Sequence, residues 1–130
     1  MLDYEIFNPY EGLIFDMDGT LIDTMPVHAQ AWTMVGERFG YEFDCQIMYN
    51  FGGATVRTIA GEMMKAANMP LDRIEDVLAA KRELSYQLIP TQSKLLPTFE
   101  IVKYFHQKKP MALGSGSHRK IIDMLMDKLA

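Results

Sequence analysis

Short apolar runs lie near both ends of the chain, and helix-like patterns fill the region between them. Residues 13–15 are apolar and end at an acidic turn, which predicts a buried strand. Residues 111–113 form a second apolar run, which predicts another strand. Across residues 26–88 the apolar positions instead recur with the spacing of one helix face. We therefore expect helix after helix in this region, with no convincing strand.

Turn and cap residues predict where the helices begin and end. Asp23 and Thr24 offer an N-cap, and Pro26 is tolerated in a first helical turn. Gly40 is a suitable C-cap for the same helix. The other predicted helices cover residues 55–67, residues 71–88, a segment that begins at Pro97, and the C-terminal segment after residue 117.

The order of these elements predicts the fold class. A strand, a helical block, a helix, a strand and a final helix form an α/β unit with an all-helical insertion after its first strand. We expect residues 1–24 and 92–130 to form the core, and residues 25–91 to form the inserted helical domain.

Composition narrows the functional classes. The 130 residues have a net charge of -4 and no dominant Lys/Arg cluster, so we expect no nucleic-acid partner. No apolar run has the length of a membrane span and no signal peptide is visible, so we expect no membrane association. Cys45 is the only cysteine, which excludes an intrachain disulfide and favours the reducing cytoplasm.

Two carboxylates follow the first strand with one residue between them. Because side chains alternate along a strand, Asp16 and Asp18 lie on the same side if the chain stays extended. A polar turn that merely closes the strand is the structural alternative. A calcium loop does not fit, because Val27 stands where the closing glutamate would be. The remaining functional interpretation is a nucleophile and an acid/base beside a Mg²⁺ site.

Residues 114–117, Gly-Ser-Gly-Ser, lie between the second predicted strand and the last helix. Backbone N–H groups at such a turn can bind phosphate, whereas a flexible linker is the structural alternative. A dinucleotide fingerprint does not fit, because Arg119 stands where its third glycine would be. If the two strands share one sheet, this turn and the acidic turn lie at the same edge.

These segments resemble motifs of the haloacid dehalogenase superfamily. GLIFDMDGTLIDT is similar to its first motif, and MALGSGS is similar to its second motif. DTMPVHAQAW, which includes His28 and Trp32, resembles the entry to the small helical cap of the β-phosphoglucomutase-like subfamily. LLPTFEIVKYFHQKKPMALGSGS resembles the cap exit and the second strand. Within this subfamily the chain is most similar to the fructose-1-phosphate/6-phosphogluconate phosphatase type.

The resemblance implies a Rossmann-like parallel sheet with an inserted helical cap. It also implies a phosphatase that acts on small phosphorylated sugars and is a monomer when complete. Asp16 would attack phosphorus to form an aspartyl-phosphate, and Asp18 would act as the general acid and base. The Asp16 carboxylate and the Asp18 backbone carbonyl would hold Mg²⁺, while Ser115 and Gly116 would hold the phosphate.

The helical block contributes two candidates for substrate contacts. His28 resembles a histidine that assists proton transfer in the mutases of the subfamily, but its phosphatases have it too; capping or packing is the alternative. Arg57 is a candidate for gripping a second anionic group, with a solvated helix face as the alternative. The mutases' cap lysine aligns with Glu83, close to Lys81, which favours a phosphatase over a β-phosphoglucomutase-type isomerase.

The family pattern includes a lysine motif and an acidic motif that this chain does not contain. These motifs would complete the metal site, and the chain ends at Ala130. We therefore expect a C-terminally incomplete enzyme that binds Mg²⁺ poorly and turns over slowly or not at all. One edge of the first strand would also be open, so an inactive fragment that associates with a partner through this edge is an alternative.

Overall fold

The computed structural model describes residues 3–115 and 119–129. The strands are β1 (Leu13–Asp16), β2 (Ile22–Asp23), β3 (Lys94–Leu95) and β4 (Met111–Gly114). The α-helices are α1 (Met25–Phe39), α2 (Gln46–Asn50), α3 (Val56–Ala66), α4 (Ile74–Gln92), α5 (Phe99–Phe105) and α6 (Arg119–Leu129). Short 3₁₀ turns cover Tyr4–Phe7 and Leu71–Arg73. The predicted combination of helices with a parallel sheet is confirmed.

Two small sheets join segments that are distant along the chain. β1 and β4 are parallel, and their register places Asp16 opposite Gly114. β2 and β3 are antiparallel, with Ile22 opposite Leu95. Because β2 precedes the helical insertion and β3 follows it, this second pairing brings the entry and the exit of the insertion together. The sequence did not predict β2 or β3, since strands this short have no visible periodicity.

The first of two compact units comprises the described residues of Met1–Thr24 and Ser93–Ser115. The N-terminal turn packs on α5, where the rings of Tyr4 and Tyr104 are stacked with centroids 4.0 Å apart. Such stacked rings stabilise the packing of the turn on the helix beyond the apolar area that they bury. The buried apolar residues of this unit are Met17, Leu21, Ile22, Ile101 and Phe105.

The second unit comprises Met25–Gln92 and the described residues of Gly116–Ala130. α4 is its central helix, since α1, α3 and α6 all contact it. The core forms because each helix turns an apolar stripe inward. The buried cluster at its centre consists of Ala31, Trp32, Val35, Phe43, Met48, Ala60, Met63, Met64, Met69, Val77, Leu78, Ala80 and Leu84.

The helix α4 extends further than the sequence predicted, from Ile74 through Pro90 to Gln92. A proline inside a helix removes one backbone hydrogen bond. Here the Thr91 hydroxyl donates to the carbonyl oxygens of Gln87 and Leu88, at 3.0 and 3.2 Å, which helps to satisfy the last turn. Neither α4 nor any other helix in the described ranges combines the length and the apolar character needed to cross a membrane.

The last helix groups with the helical unit, whereas the sequence analysis assigned residues 92–130 to the core. Ile121 and Leu125 of α6 are buried, and the helix contacts α4. The Lys120 Nζ atom lies 4.4 Å from the ring centroid of Tyr86, a residue of α4. The apolar face of α6 is therefore buried within the second unit.

Candidate active site

The turn after β1 is built around a buried methionine. Met17 is fully buried, and its carbonyl oxygen accepts hydrogen bonds from the N–H groups of residues 20–22 at 3.2, 3.0 and 3.2 Å. Gly19 has a φ of +74°, a conformation that glycine adopts readily. Asp16 therefore precedes, and Asp18 lies within, a backbone turn whose shape is fixed by burial and hydrogen bonds.

The two carboxylates of this turn have different surroundings. Asp16 is exposed, and its Oδ1 atom accepts a hydrogen bond from the Met17 N–H at 2.9 Å. Asp18 is half-buried, and its Oδ1 atom accepts a short hydrogen bond from the hydroxyl of Thr24, which is fully buried. Carboxylates in different environments are suited to different chemical roles. The arrangement fits an exposed nucleophile beside an oriented acid/base.

The strand β4 brings the second motif to the edge of the sheet where β1 ends. Gly114 is the last residue of β4 and lies opposite Asp16. Ser115 follows directly and is half-buried. The register therefore brings Asp16 and Ser115 to the same edge of the sheet. Gly116, the other predicted phosphate-binding residue, lies outside the described residues.

His28 of α1 lies beside a lysine that the sequence analysis did not select as a site residue. The Nδ1 atom of His28 is 3.0 Å from the Nζ atom of Lys81. This Nζ atom also donates to the Ser85 hydroxyl at 2.8 Å and lies 5.1 Å from the ring centroid of Trp32. The spacing of residues along α4 could have identified Lys81 from the sequence. Val77, Lys81 and Ser85 are each four residues apart and therefore fall on the same buried face of this helix.

The other candidate of the helical unit, Arg57, forms a surface ion pair. Its Nη2 atom lies 2.6 Å from Oε1 of Glu75, and the two side chains are 58% and 73% exposed. Arg57 and His28 thus contact different partners in the structure. Exposed ion pairs contribute little to the free energy of unfolding. Arg57 can therefore leave Glu75 and bind an anionic ligand with little loss of stability. Glu83 is likewise exposed, and its Oε2 atom lies 3.4 Å from Nη1 of Arg38.

The acidic turn offers oxygen atoms that suit Mg²⁺. In the parts of the chain that the structure describes, no three side chains among His, Cys, Asp and Glu are grouped to hold a metal ion. Mg²⁺ commonly takes one or two carboxylates and completes its shell with waters and substrate phosphate. Asp16 and Asp18 therefore fit this ion in donor type and in number.

The comparison with known protein families agrees with this geometry. The model of the haloacid dehalogenase-like hydrolases matches residues 10–130. The chain belongs to the haloacid dehalogenase-like hydrolase family. The family resemblance that the sequence indicated is thus confirmed, and the strands β1 and β4 lie in the segments that resemble its first and second motifs.

Two curated relatives match nearly the whole chain. Fructose-1-phosphate phosphatase YqaB of Escherichia coli K12 is 34% identical over 124 residues, which are 95% of this chain and 65% of that protein. An uncharacterized protein of Haemophilus influenzae is 96% identical over 130 residues, which are 100% of this chain and 65% of that protein. The chain thus spans 65% of the length of both relatives.

A solved structure with the same fold extends the comparison. The crystal structure of a predicted phosphoglycolate phosphatase from Haemophilus somnus 129pt superposes with a TM-score of 0.77 and 16% sequence identity. The match covers 91% of this chain and 57% of that chain. At this level of identity the likeness shows the fold alone, which confirms the predicted α/β class.

Proposed function

We propose that this hydrolase is a Mg²⁺-dependent phosphatase of small sugar phosphates, with its nucleophile and its acid/base in the turn after β1. The observation that best supports the proposal is the register of Asp16 opposite Gly114. It puts the acidic turn and Ser115 at the carboxyl edge of parallel strands, where ligands bind in α/β sheets. The printed name of the E. coli relative, a fructose-1-phosphate phosphatase, supports a sugar phosphate as the substrate class.

Asp16 is the proposed nucleophile in a reaction of two steps. A carboxylate oxygen of Asp16 bonds to phosphorus while the bond from phosphorus to the sugar oxygen breaks, and Asp18 gives that oxygen a proton. In the second step a water oxygen bonds to phosphorus, Asp18 takes a proton from the water, and the bond to Asp16 breaks. Inorganic phosphate leaves, and both carboxyl groups return to their starting states. Covalent catalysis thereby divides one difficult displacement into two easier ones.

The residues around the carboxylates have proposed supporting roles. Thr24 donates a hydrogen bond to Asp18 from a fully buried position, which orients the carboxyl group for proton transfer. Ser115 and the Gly116 amide hold the phosphoryl oxygens. His28 and Arg57 contact the sugar or a second anionic group of the substrate.

Mg²⁺ would be held by the Asp16 carboxylate and the Asp18 backbone carbonyl. The bound ion would offset the negative charge that gathers between the carboxylates and the phosphoryl oxygens. Asp16 must therefore both face this ion and reach phosphorus, which suits its exposed position at the end of β1.

The proposal extends to the organisation of the whole protein. Residues 25–91 form a cap that admits the sugar and excludes water during the reaction. The complete protein is a cytoplasmic monomer, and it binds neither nucleic acid nor membranes. Because the chain spans 65% of the length of its two relatives, we assign full activity to the whole protein and slow turnover, or none, to these 130 residues alone.

Phosphate release from fructose 1-phosphate tests the proposal. This chain and the full-length H. influenzae relative are assayed in parallel with added Mg²⁺ and after chelation. We expect Mg²⁺-dependent release by the relative, slower release by this chain, and none after Asp16→Asn at the corresponding position. Glu11→Gln is the matched control, because Glu11 is an exposed carboxylate just before β1. Release that survives Asp16→Asn would contradict the proposed nucleophile.

A second candidate role, association with a partner, rests on the uncovered side of the small sheet. Ile14 of β1 is 81% exposed, and among the described residues β1 pairs with β4 alone. Parallel sheets are normally covered on both faces, and open strand edges pair with other chains. Size-exclusion chromatography across a range of concentrations tests this role. Association that Ile14→Lys abolishes would support it, and a monomer at every concentration would count against it.

A further inference from the structure

An open groove lies on the surface of the helical unit, between the end of α1 and the first half of α4. Its volume is about 340 Å³, and all its lining residues lie between Arg38 and Glu83. Arg38 and Phe39 are the last two residues of α1, and Arg73 ends the 3₁₀ turn before α4. His28 lies near the other end of α1, about 15 Å along the helix axis from Arg38. The groove therefore lies apart from His28 and shares no residue with the acidic turn.

Arg73 lies over an aromatic ring in the lining of the groove. Its guanidinium carbon is 4.8 Å from the ring centroid of Phe39, within the range of a cation–π interaction. Phe39 is half-buried and packs against the core of the helical unit, so the ring is a fixed platform. A cation–π contact uses the charge of the guanidinium group without occupying its five N–H donors. The ring therefore positions Arg73 and leaves its donors for another partner.

Both arginines of the groove form loose ion pairs. Nη1 of Arg38 lies 3.4 Å from Oε2 of Glu83, and Nε of Arg73 lies 3.9 Å from Oδ2 of Asp76. The four side chains are between 44% and 68% exposed, and exposed pairs contribute little to the free energy of unfolding. Each pair is joined through one nitrogen, whereas a guanidinium group can donate two parallel hydrogen bonds to a carboxylate or a phosphate. A ligand can therefore bind both arginines more strongly than their present partners do.

The helix ends stabilise charges that these ion pairs also stabilise. Arg38 is in the last turn of α1, and Asp76 is in the first turn of α4. A cation near the C-terminus of a helix and an anion near the N-terminus are each stabilised by the helix dipole. Asp76 and Glu83 are also exposed, so water solvates their carboxylates when an arginine leaves them. Exchange of the two pairs for a ligand therefore costs little stability.

We propose that this groove binds a small dianion, a phosphate ester or a dicarboxylate, whose oxygens accept hydrogen bonds from Arg38 and Arg73 together. The planar guanidinium group matches the oxygen geometry of both kinds of anion. The ring of Phe39 and the side chains of Ala79 and Ala80 offer apolar contacts to the carbon atoms of the ligand. The two carboxylates of the groove oppose the ligand, because like charges repel each other. This site belongs to the helical unit and does not depend on the proposed catalysis.

NMR of the arginine side chains tests the site on the 130-residue chain. Nε–H signals are recorded without metal ions and at constant ionic strength while inorganic phosphate or succinate is added, and Arg38→Met and Arg73→Met assign the two signals. We expect both signals to move and to saturate at one dissociation constant with at least one of the anions. Tighter binding of phosphate would indicate a phosphate ester, and tighter binding of succinate a dicarboxylate. Signals that do not saturate with either anion, or that move no more than the signal of the exposed Arg82, would overturn the proposal.

Substitutions of the two charge signs should change the affinity in opposite directions. Arg38→Met or Arg73→Met should weaken binding about tenfold or more, measured on the signal of the remaining arginine, because each removes hydrogen bonds between charged groups. Glu83→Gln and Asp76→Asn should strengthen binding, because each removes a carboxylate that competes with the ligand for an arginine.

Matched controls separate a built site from general attraction of anions to the protein. Arg82→Met and Glu37→Gln change exposed charges on α4 and α1 that do not line the groove, so they should alter the affinity much less. Circular dichroism confirms that each variant is folded. Control variants that change the affinity as much as the variants in the groove would overturn the proposal.

Discussion

Asp16 and Gly114 lie opposite each other at the ends of two parallel strands. One strand precedes the helical insertion and the other follows it, so the pairing brings Asp16 and Ser115, which are far apart along the chain, to one edge of the sheet. The proposed active site thus depends on the register of a small sheet, because a shift of one residue would move Asp16 away from Ser115 and turn its side chain to the other face.

Burial of Met17 stabilises the acidic turn. Met17→Ala should lower the free energy of unfolding by about 2–5 kcal/mol, because Met17 is fully buried and its removal leaves a cavity. Ile14→Ala is the control, since Ile14 is 81% exposed and should cost about 0.5 kcal/mol or less. Urea unfolding followed by circular dichroism measures both. Equal losses for the two variants would contradict the described turn.

Thr24→Val should weaken both stability and catalysis. The variant keeps the shape of a fully buried side chain and removes the hydroxyl that donates to Asp18. A typical intramolecular hydrogen bond contributes about 0.5–1.5 kcal/mol, so we expect a loss of at least this size in urea unfolding. Phosphate release by the full-length relative should also fall.

The control for this prediction is Thr33→Val. The Thr33 hydroxyl is exposed and donates to the carbonyl oxygen of Ala29 within its own helix, so its loss should have little effect. A Thr24→Val variant as stable and as active as Thr33→Val would show that the hydrogen bond to Asp18 is unimportant.

Local patterns were sufficient to predict the elements that position the candidate site. The apolar run before Asp16 predicted β1, and the run before Gly114 predicted β4. The first helix ends where Gly40 indicated, since this glycine has a φ of +81°. These signals are local, because burial of a short run and the conformational freedom of glycine depend on few neighbours.

Two of the missed contacts depend on residues distant along the chain. Ile22 pairs with Leu95 across the whole helical insertion, and neither residue has a periodic neighbour to indicate it. A third missed contact is nearer in sequence, since the Thr24 hydroxyl donates to Asp18, six residues before it. Lys81 contacts His28 across two packed helices, a relationship that only the packing of α1 on α4 creates.

Arg57→Met tests whether this arginine contacts the substrate. Its ion pair with Glu75 is exposed, so the variant should change stability by about 1 kcal/mol or less. If Arg57 binds an anionic group of the substrate, KM should rise severalfold while kcat changes little. Glu75→Gln is the control, because it breaks the same ion pair and leaves Arg57 in place. If both variants have the same KM and kcat, Arg57 forms only its surface ion pair and does not contact the substrate.

A direct comparison of two reactions tests phosphatase against isomerase. The full-length H. influenzae relative is incubated with glucose 1-phosphate and a small amount of the corresponding bisphosphate. We expect release of inorganic phosphate and no glucose 6-phosphate. Glu83, which aligns with the cap lysine of the mutases, is exposed and pairs with Arg38. The absence of a cation at this position is consistent with the expected outcome. Formation of glucose 6-phosphate faster than inorganic phosphate would favour the isomerase.

The central claim is that Asp16 forms a covalent bond to phosphorus, and a trapped intermediate tests it most directly. The full-length relative is mixed with Mg²⁺ and radiolabelled sugar phosphate, quenched in acid after less than one turnover, and mapped by mass spectrometry. The account predicts an acid-stable, base-labile phosphoryl group on the aspartate that corresponds to Asp16, and no label after Asp16→Asn. Release of phosphate without this label, or a label on a different residue, would contradict the account.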